Sequence, residues 1–217
     1  TPPCDGSIEL LNGLSALNFP FVLLTPHQRT DNYAWVVADD EQGSYEATEH
    51  VIGLGHRRIA YIQGNPRHQA SWDRLNGYIR AMREHGLPIH DGYVAQGQSW
   101  SFEEGVQCTQ QILQIDPRPT AIVTGGDEIA AGAIQTAFSM GVRLPQDLSI
   151  VGFDNSPLAR QLWPPLTTVH QPIQDIAATA LHILVEGLLI DQELDRHVVV
   201  PTELVIRQST TRYSVDV

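Results

Sequence analysis

The sequence predicts an α/β protein in which parallel sheets carry helices on both faces. Short apolar runs alternate with stretches whose apolar residues recur at helical spacing. Glycine, proline or aspartate follows most of the apolar runs, as expected where a buried strand ends. Within 144–172, one strand ends near Asp154 and a second extended segment leads through Pro172 into a new helix. This order suggests a chain that crosses between two lobes and binds ligands beyond its strand ends.

The predicted strands are short and mostly apolar, without strict polar alternation. In chain order they cover 19–25, 33–38, 58–62, 93–95, 120–124, 148–153, 166–170, 198–200 and 204–207. Dense apolar runs such as 19–25 are typical of parallel strands that are buried on both faces.

The predicted helices lie between these strands and have recognisable start and stop signals. In chain order they cover 8–17, a segment that follows Asp39-Asp40 and stops at Gly55, 71–86, 101–115, 127–141 and a segment that begins at Pro172. Ser71 is the predicted N-cap of the third helix, and Ser101 with Glu104 forms a capping box for the fourth. The last helix is expected to turn five apolar side chains inward: Ile173, Ile176, Ala180, Ile183 and Leu184.

The composition excludes several functional classes. A formal net charge of −12, from 13 Lys and Arg against 25 Asp and Glu, repels phosphates, so this chain alone is expected not to bind duplex DNA specifically. The two cysteines, Cys4 and Cys108, have no zinc-ligand spacing and argue against a disulfide framework. No apolar run is long enough to span a membrane. We expect a cytoplasmic protein without a metal ion or other cofactor.

The sequence does not predict an enzyme. Nine histidines are present, but none belongs to an HExxH motif, and neither a G-x-S-x-G elbow nor a P-loop occurs. Glycines such as Gly97, Gly125 and Gly152 are isolated turn residues at strand ends and form no GxGxxG fingerprint.

Four segments point to a known family. They are GLGHRRIAYIQG (53–64), RPTAIVTGGDEIAAGAIQTAFSMGV (118–142), LPQDLSIVGFDN with PPLTTVHQP (within 144–172), and PTELVIRQST (201–210). In this order they resemble the effector-binding core of the LacI/GalR family of bacterial transcription regulators, and together they cover most of the chain from about residue 37.

The resemblance implies a two-lobed, periplasmic-binding-protein-like fold in which each lobe is a parallel sheet flanked by helices. Three crossings would give an N-terminal lobe of 1–63 plus 171–200 and a C-terminal lobe of 64–170 plus 201–217. Family members begin with a helix-turn-helix headpiece and further strand–helix units, which are not visible after Thr1. The first lobe is therefore expected to be truncated; the alternative is a naturally short protein.

Side chains that can bind a sugar lie near the predicted strand ends. The family's effector-contacting arginine matches Arg74 in Arg74-Leu75-Asn76-Gly77-Tyr78, its stacking aromatic matches Trp100, and the aspartate of its GFD turn matches Asp154. An arginine fork and a carboxylate bind hydroxyl groups well when they are desolvated together. Asp127 and Asp39 are further candidates. The family often has asparagine where this chain has Gly126, so the identity of the ligand stays open.

Each candidate also has a purely structural interpretation. Arg74 could be a solvated helix residue that pairs with Asp73, and Trp100 could be a hydrophobic staple over the following helix. Asp154 could bond its own turn, Asp127 could act as an N-cap, and Asp39 could simply end its strand.

The resemblance implies the ligand-sensing and dimerising core of a DNA-binding regulator. A small metabolite, with a sugar as the expected class, would bind in the cleft between the lobes and alter operator binding through a headpiece that is absent from this chain. The homodimer interface is expected to use Phe102, Ile134, Phe138, Leu158, Leu162 and Trp163. The alternative is a sugar-binding protein of a transport system with the same fold.

Overall fold

A computed structural model describes residues 8–190 and 197–213. It divides the chain into two compact units, the first comprising 1–39 with 172–201 and the second 40–171 with 202–217. Both contain parallel strands and helices, so the predicted α/β class is confirmed. Among the described residues, no helix is long and apolar enough to cross a membrane.

The first unit is a small sheet with two helices. Its elements are α1 (Ile8–Ala16), β1 (Leu23–Leu24), β2 (Trp35–Ala38), α7 (Ile173–Ile190) and β8 (His197–Val200). The three strands pair in parallel in the order β1-β2-β8. Val36 and Ala38 pack against Ile176, Ala180 and Ile183 of α7 and form the core of this unit.

The second unit is built on a six-stranded sheet. Its elements are α2 (Asp40–Gly53), β3 (Ile59–Gln63), α3 (Gln69–Glu84), β4 (Val94–Gln96), α4 (Phe102–Ile112), β5 (Ala121–Thr124), α5 (Asp127–Ser139), β6 (Ser149–Asp154), α6 (Pro157–Gln161), β7 (Thr167–His170) and β9 (Glu203–Val205). The strand order is β4-β3-β5-β6-β7-β9, and only the β7–β9 pair is antiparallel.

Each face of this sheet has its own core. Alternate strand residues point to opposite faces: Tyr61 and Val123 pack with α2 and α3, whereas Ile62 and Ile122 pack with α4 and α5. Helices on both faces leave the loops at the carboxyl ends of the strands as the open edge of the layer, where ligands bind in such sheets.

Several predicted elements differ from the structure. The apolar run 19–25 contains only a two-residue strand at the sheet edge, and Phe19 is exposed. Helix α3 begins at Gln69 with His68 as N-cap, so Ser71 is buried within the helix instead of capping it. Ile173 is exposed because it lies at the first residue of α7, before the helix reaches the sheet.

The predicted first lobe boundary at residue 63 is also wrong. Strand β3 pairs in parallel with β4 and β5, which fixes it in the second unit. Helix α2 packs against α3 of the same unit. The first crossing therefore falls between Asp39 and Asp40, directly after β2. The sequence of a strand followed by a helix does not indicate which of the two sheets that helix packs against.

Two histidines, the buried His56 and the half-buried His50, hold the C-terminal segment against the rest of the second unit. His56 contacts Thr120 Oγ1 through Nδ1 at 2.9 Å and the Thr211 carbonyl through Nε2 at 3.0 Å. His50 contacts Thr210 Oγ1 at 3.0 Å. The carbonyl only accepts hydrogen bonds, so Nε2 of His56 donates, and in the neutral ring Nδ1 accepts from the Thr120 hydroxyl. Burial lowers the pKa of both histidines.

The lowered pKa values of His50 and His56 predict that the folded protein loses stability in mild acid. A group whose folded pKa is depressed below its unfolded value of about 6.5 binds fewer protons when folded, so its contribution to the free energy of unfolding declines as pH falls below that value. Between about pH 7.5 and about pH 5.5, the wild type should lose more stability than His56→Gln. Denaturant midpoints measure this difference.

The comparison with a variant is necessary because Asp154 acts in the opposite direction. Its pKa is raised, so it favours the folded state in acid, but it is present in both proteins and cancels. His182→Gln is the matched control, since the His182 side chain is 68% exposed. Equal pH dependence of wild type and His56→Gln would contradict the assignment of a neutral buried His56.

Candidate ligand-binding site

The candidate site lies at the carboxyl ends of β3, β5 and β6 in the second unit. Strand β4 lies on one side of β3, whereas β5 and β6 continue the sheet on the other side. The chain therefore reverses its direction of travel across the sheet between β3 and β5, and sheets of this type bind ligands at such a point. Gly64 and Gly125 follow these two strands and lie side by side.

Arg74 is buried at the centre of this edge. Its guanidinium donates from Nε to Asp40 Oδ1 at 2.7 Å and from Nη1 to the Gly125 carbonyl at 2.5 Å. A longer contact of 3.4 Å joins Nη1 to Asp154 Oδ1. The guanidinium carbon lies 3.7 Å from the centre of the Phe153 ring. Burial alone would lower the pKa of Arg74, but the two carboxylates raise it overall, so the group is charged.

A glycine allows Arg74 to reach Asp40. Helices α2 and α3 pack so closely that a Cβ on Gly77 would lie 2.1 Å from the Glu41 carbonyl oxygen. Arg74 lies one turn before Gly77, and Asp40 is the first residue of α2. The R-x-x-G pattern therefore has a physical basis: the glycine brings the helices together and the arginine reaches across the junction.

Asp154 presents a carboxylate at the N-terminus of α5. It is the last residue of β6 and has a positive φ of 112°, which a non-glycine residue rarely adopts. Burial raises its pKa to about 6, and the neighbouring carboxylates of Asp127 and Asp40 act in the same direction. Arg74 and the backbone N–H of Asp127 oppose this rise. The side chain still remains 41% exposed, so Asp154 can meet a ligand.

Trp100 lies flat against the backbone of the strand ends. A Cβ on Gly64 would be 2.2 Å from its six-membered ring, so only glycine leaves room for the indole there. Its Nε1 donates to His68 Nδ1 at 3.3 Å, which fixes the direction of the ring. The Arg74 guanidinium carbon is 5.1 Å from the ring centre. The half-buried indole therefore provides a fixed aromatic surface beside the Asp154 carboxylate.

Asp127 has an internal role. Its Oδ1 accepts from Thr168 Oγ1 at 2.6 Å and its Oδ2 from the Ser156 N–H at 2.7 Å. Burial raises its pKa. Gly126 is the N-cap of α5, so Asp127 is the first helical residue rather than the cap. Both carboxylate oxygens bond protein groups, and Asp127 holds the turn after β6 against β7.

Four of the five predicted site residues belong to the second unit: Arg74, Trp100, Asp127 and Asp154. Asp39 belongs to the first unit, where its N–H donates to the Val200 carbonyl at 2.9 Å. The acid that pairs with Arg74 is instead Asp40, which the sequence did not single out. Val36, Val37 and Ala38 are all buried, so strand alternation gives no sign of which acid turns inward. Within the described residues, no cluster of His, Cys, Asp and Glu could hold a metal ion.

The predicted association surface lies on α5 and its two neighbouring helices, α4 and α6. Trp163 is 76% exposed and Phe138 is 49% exposed. Phe102, Leu158 and Leu162 are half-buried. Ile134 is only 4% exposed because it packs in the core against the sheet, so its prediction as a contact residue is corrected.

Comparisons with known proteins give a consistent result. A family model described as a periplasmic binding protein-like domain matches residues 48–210. Catabolite control protein A of Priestia megaterium is 36% identical over 194 residues, which cover 88% of this chain and 58% of that protein. A LacI family regulatory protein from Chloroflexus aggregans is 36% identical with a TM-score of 0.84, over 94% of this chain and 73% of that one.

Two further solved structures contain sugars. The CelR regulator–cellobiose complex is 28% identical with a TM-score of 0.86, over 92% of this chain and 62% of that one. A LacI family regulator from Enterococcus faecium with bound ribose is 25% identical with a TM-score of 0.84, over 96% of this chain and 77% of that one.

Proposed function

The chain belongs to the LacI family of transcription regulators, and from this premise we propose that it is the ligand-sensing and dimerising core of such a regulator. It spans 58% of the length of the catabolite control protein it matches, so operator binding is assigned to a DNA-binding headpiece outside this sequence. A ligand alters operator binding only to the extent that it binds two states of the protein with different affinity. The protein acts in the cytoplasm, where its operator lies, and catalyses no reaction.

The charge distribution at the site favours a neutral ligand rich in hydroxyl groups. Asp40 and Asp154 both act on the guanidinium of Arg74, and Asp127 adds a third carboxylate within electrostatic reach of Asp154. The guanidinium of Arg207 acts on Asp127, but it bonds Asn155 and the Leu166 carbonyl. The Arg74 side chain is only 5% exposed and already bonds protein acceptors, whereas Asp154 is 41% exposed. A ligand therefore meets a hydrogen-bond acceptor with negative charge. Hydroxyl groups donate to it, and a phosphate is repelled.

The juxtaposition of the Asp154 carboxylate with the Trp100 ring supports a sugar in particular. One face of a sugar ring carries C–H groups, which pack on an aromatic ring, while its hydroxyl groups need acceptors. The sugars in the related CelR and Enterococcus faecium structures agree with this proposal. A transport-associated binding protein would share the fold, but the relatives named above are regulators.

A thermal-shift screen tests the proposed ligand class. The panel pairs neutral sugars with phosphorylated ones: cellobiose, ribose and glucose against ribose 5-phosphate and glucose 6-phosphate. At a hundred times its Kd a ligand stabilises the folded state by about 2.7 kcal/mol, which raises the Tm of a chain of this size by roughly 5–10 °C. A neutral sugar is expected to do so. A shift with the phosphorylated sugars alone would contradict the proposed charge selection.

Trp100→Ala should weaken sugar binding and remove most of the ligand-dependent change in fluorescence. Loss of the apolar surface costs about 1 kcal/mol or more, which is roughly fivefold or more in Kd. Trp72→Ala is the control, because Trp72 is also exposed but its indole Nε1 donates to the Pro66 carbonyl. Retention of the full fluorescence change in Trp100→Ala would contradict a stacking role.

Trp163→Ala and Phe138→Ala should weaken self-association. Exposed aromatic anchors at an interface commonly contribute about 2 kcal/mol or more, so each change is expected to raise the dimer Kd roughly 30-fold. Sedimentation velocity across a concentration series measures the effect, and reversibility on dilution separates a dimer from aggregates. Trp72→Ala again serves as control. An unchanged dimer in both variants would place the interface elsewhere.

A further inference from the structure

The backbone turn that carries Asp154 is stabilised by contacts of the next residue, Asn155, which is not among the ligand-facing residues described above. Asn155 has a φ of 53°, so two consecutive non-glycine residues have positive φ. Such backbone persists only where surrounding contacts enforce it, and it occurs preferentially at functional sites. Asparagine tolerates the left-handed region better than most residues, but it does not by itself impose a strained conformation on Asp154.

The contacts that enforce this turn converge on Asn155. Its Oδ1 accepts from Arg207 Nη2 at 2.5 Å, and its Nδ2 lies 3.3 Å from His170 Nδ1. Its backbone N–H donates to Thr168 Oγ1 at 3.3 Å. The Gln171 N–H donates to the Asp154 carbonyl at 3.4 Å. The oxygen and the nitrogen of the Asn155 side chain therefore each have a partner.

Arg207 is itself held firmly. Its Nη1 donates to the Leu166 carbonyl at 2.6 Å, and its backbone N–H donates to Thr167 Oγ1 at 2.9 Å. These bonds fix Arg207 to β7, beside the turn that it contacts. Arg207 belongs to the segment that returns to the second unit after residue 201. His170 is the last residue of β7, and the chain leaves the second unit one residue later, after Gln171.

We propose that Asn155 is a positioning residue of the ligand site, anchored by Arg207, and that it fixes where the Asp154 carboxylate is presented. Asn155 acts through Asp154 and need not touch the ligand. Its partners His170 and Arg207 lie near two of the three points where the chain passes between the units, after residues 171 and 201. The role in ligand binding rests on the proposed function, whereas the positioning of Asp154 does not.

The test therefore uses no ligand. Asn155→Gly removes the side chain but suits the positive φ, so the variant should fold; Arg207→Ala removes the anchor. Amide hydrogen exchange of Asp154, Asn155 and Gln171 is measured relative to the central β3 and β5 amides, which report global unfolding. In both variants exchange at the turn should rise ~10-fold or more while the central amides change less. The double variant Asn155→Gly/Arg207→Ala should show little more exchange at the turn than either single variant, because both changes remove the same hydrogen bond.

A carboxyl titration separates positioning from a merely structural role. The charged groups facing Asp154 are Arg74 from α3, Asp127 from α5 and Asp40 from α2. Carbon-13 NMR should follow the Asp154 carboxyl from a pKa of about 6 in the wild type towards the ordinary 3.8 in both variants, as the group moves into water. Asn155→Asp keeps an acceptor for Arg207 and tolerates positive φ, so it should restore protection of the turn from exchange.

Asn18→Gly is the matched control. Asn18 also has positive φ, at 51°, but lies exposed in the first unit, so its replacement should leave Asp154 unchanged. Unchanged exchange and an unchanged Asp154 titration in Asn155→Gly and Arg207→Ala would overturn the proposal. Strictly additive effects of the two changes would overturn the anchoring of Asn155 by Arg207. Failure to bind any sugar would count against the proposed function alone.

Discussion

Arg74→Ala is expected to destabilise the second unit by about 3–5 kcal/mol, the typical cost of removing one partner from a buried ion pair. The Arg74 side chain is 5% exposed and that of Asp40 is 3% exposed. Without the guanidinium, the Asp40 carboxylate stays buried with its charge uncompensated. The Gly125 carbonyl also loses its donor. The total stability of natural domains is about 5–15 kcal/mol, so this one change should remove a large part of it.

A second arginine on the same helix provides the control. Arg80 pairs with Glu41 across the same two helices at 2.6 Å, but these side chains are 28% and 41% exposed. An exposed pair contributes about 0–1 kcal/mol, so Arg80→Ala should have a small effect. Urea denaturation followed by circular dichroism measures both variants. Similar losses in Arg74→Ala and Arg80→Ala would show that burial does not set the importance of the Arg74 pair.

Removal of both partners should be less harmful than removal of one. Arg74→Met combined with Asp40→Asn leaves no charge in the buried pair, and Asp154, which loses its longer contact with Arg74, is 41% exposed to water. Buried ion pairs can often be replaced by neutral groups at little cost. The double variant is therefore expected to be more stable than Arg74→Ala. The two effects should be strongly non-additive, as is usual for residues in direct contact.

Asp154→Asn should weaken sugar binding roughly 10- to 150-fold, because a hydrogen bond to a charged group contributes about 1.5–3 kcal/mol. Asparagine keeps the size of the side chain and tolerates positive φ better than alanine, so the turn should be retained. Asp147→Asn is the control: its carboxylate is 37% exposed, close to the 41% of Asp154, but it pairs with Arg143 away from the site. Equal affinity of Asp154→Asn and wild type would remove Asp154 from the site.

The affinity should also depend on pH through Asp154. Its pKa is raised to about 6, and hydroxyl groups donate to the ionised carboxylate, so affinity should fall as pH decreases through about 6. From about pH 7 to about pH 5 the wild type should lose roughly fivefold to tenfold in affinity. Asp154→Asn should show no such dependence. Isothermal titration calorimetry at several pH values gives both results.

The sequence was sufficient to locate the edge of the sheet at which the site lies. Apolar runs followed by glycine or aspartate predicted the ends of β5 and β6, and the resemblance then selected Arg74, Trp100 and Asp154. The three side chains lie together because parallel strands end at the same edge. This part depends on local patterns and chain order, which a single sequence contains.

The features that the sequence did not predict depend on contacts distant in the chain. Nothing near Asp40 shows that it turns inward to pair with Arg74, 34 residues later. The bond between Asn155 and Arg207 joins residues 52 positions apart. The placement of β3 in the second unit depends on which strands it pairs with, and its apolar composition suits either sheet. The close approach of α4 and α5 at Gly105 and Gly132 likewise depends on the partner helix, which the sequence near each glycine does not indicate.

A crystal structure of the chain with the neutral sugar that gives the largest thermal shift tests the proposed site most directly. We expect the sugar ring to lie against the Trp100 indole, with at least one hydroxyl group donating to the Asp154 carboxylate and the Arg74–Asp40 pair intact beneath it. A sugar bound elsewhere on the second unit, without contact to Asp154 or Trp100, would contradict the assignment of this strand-end site as the ligand sensor.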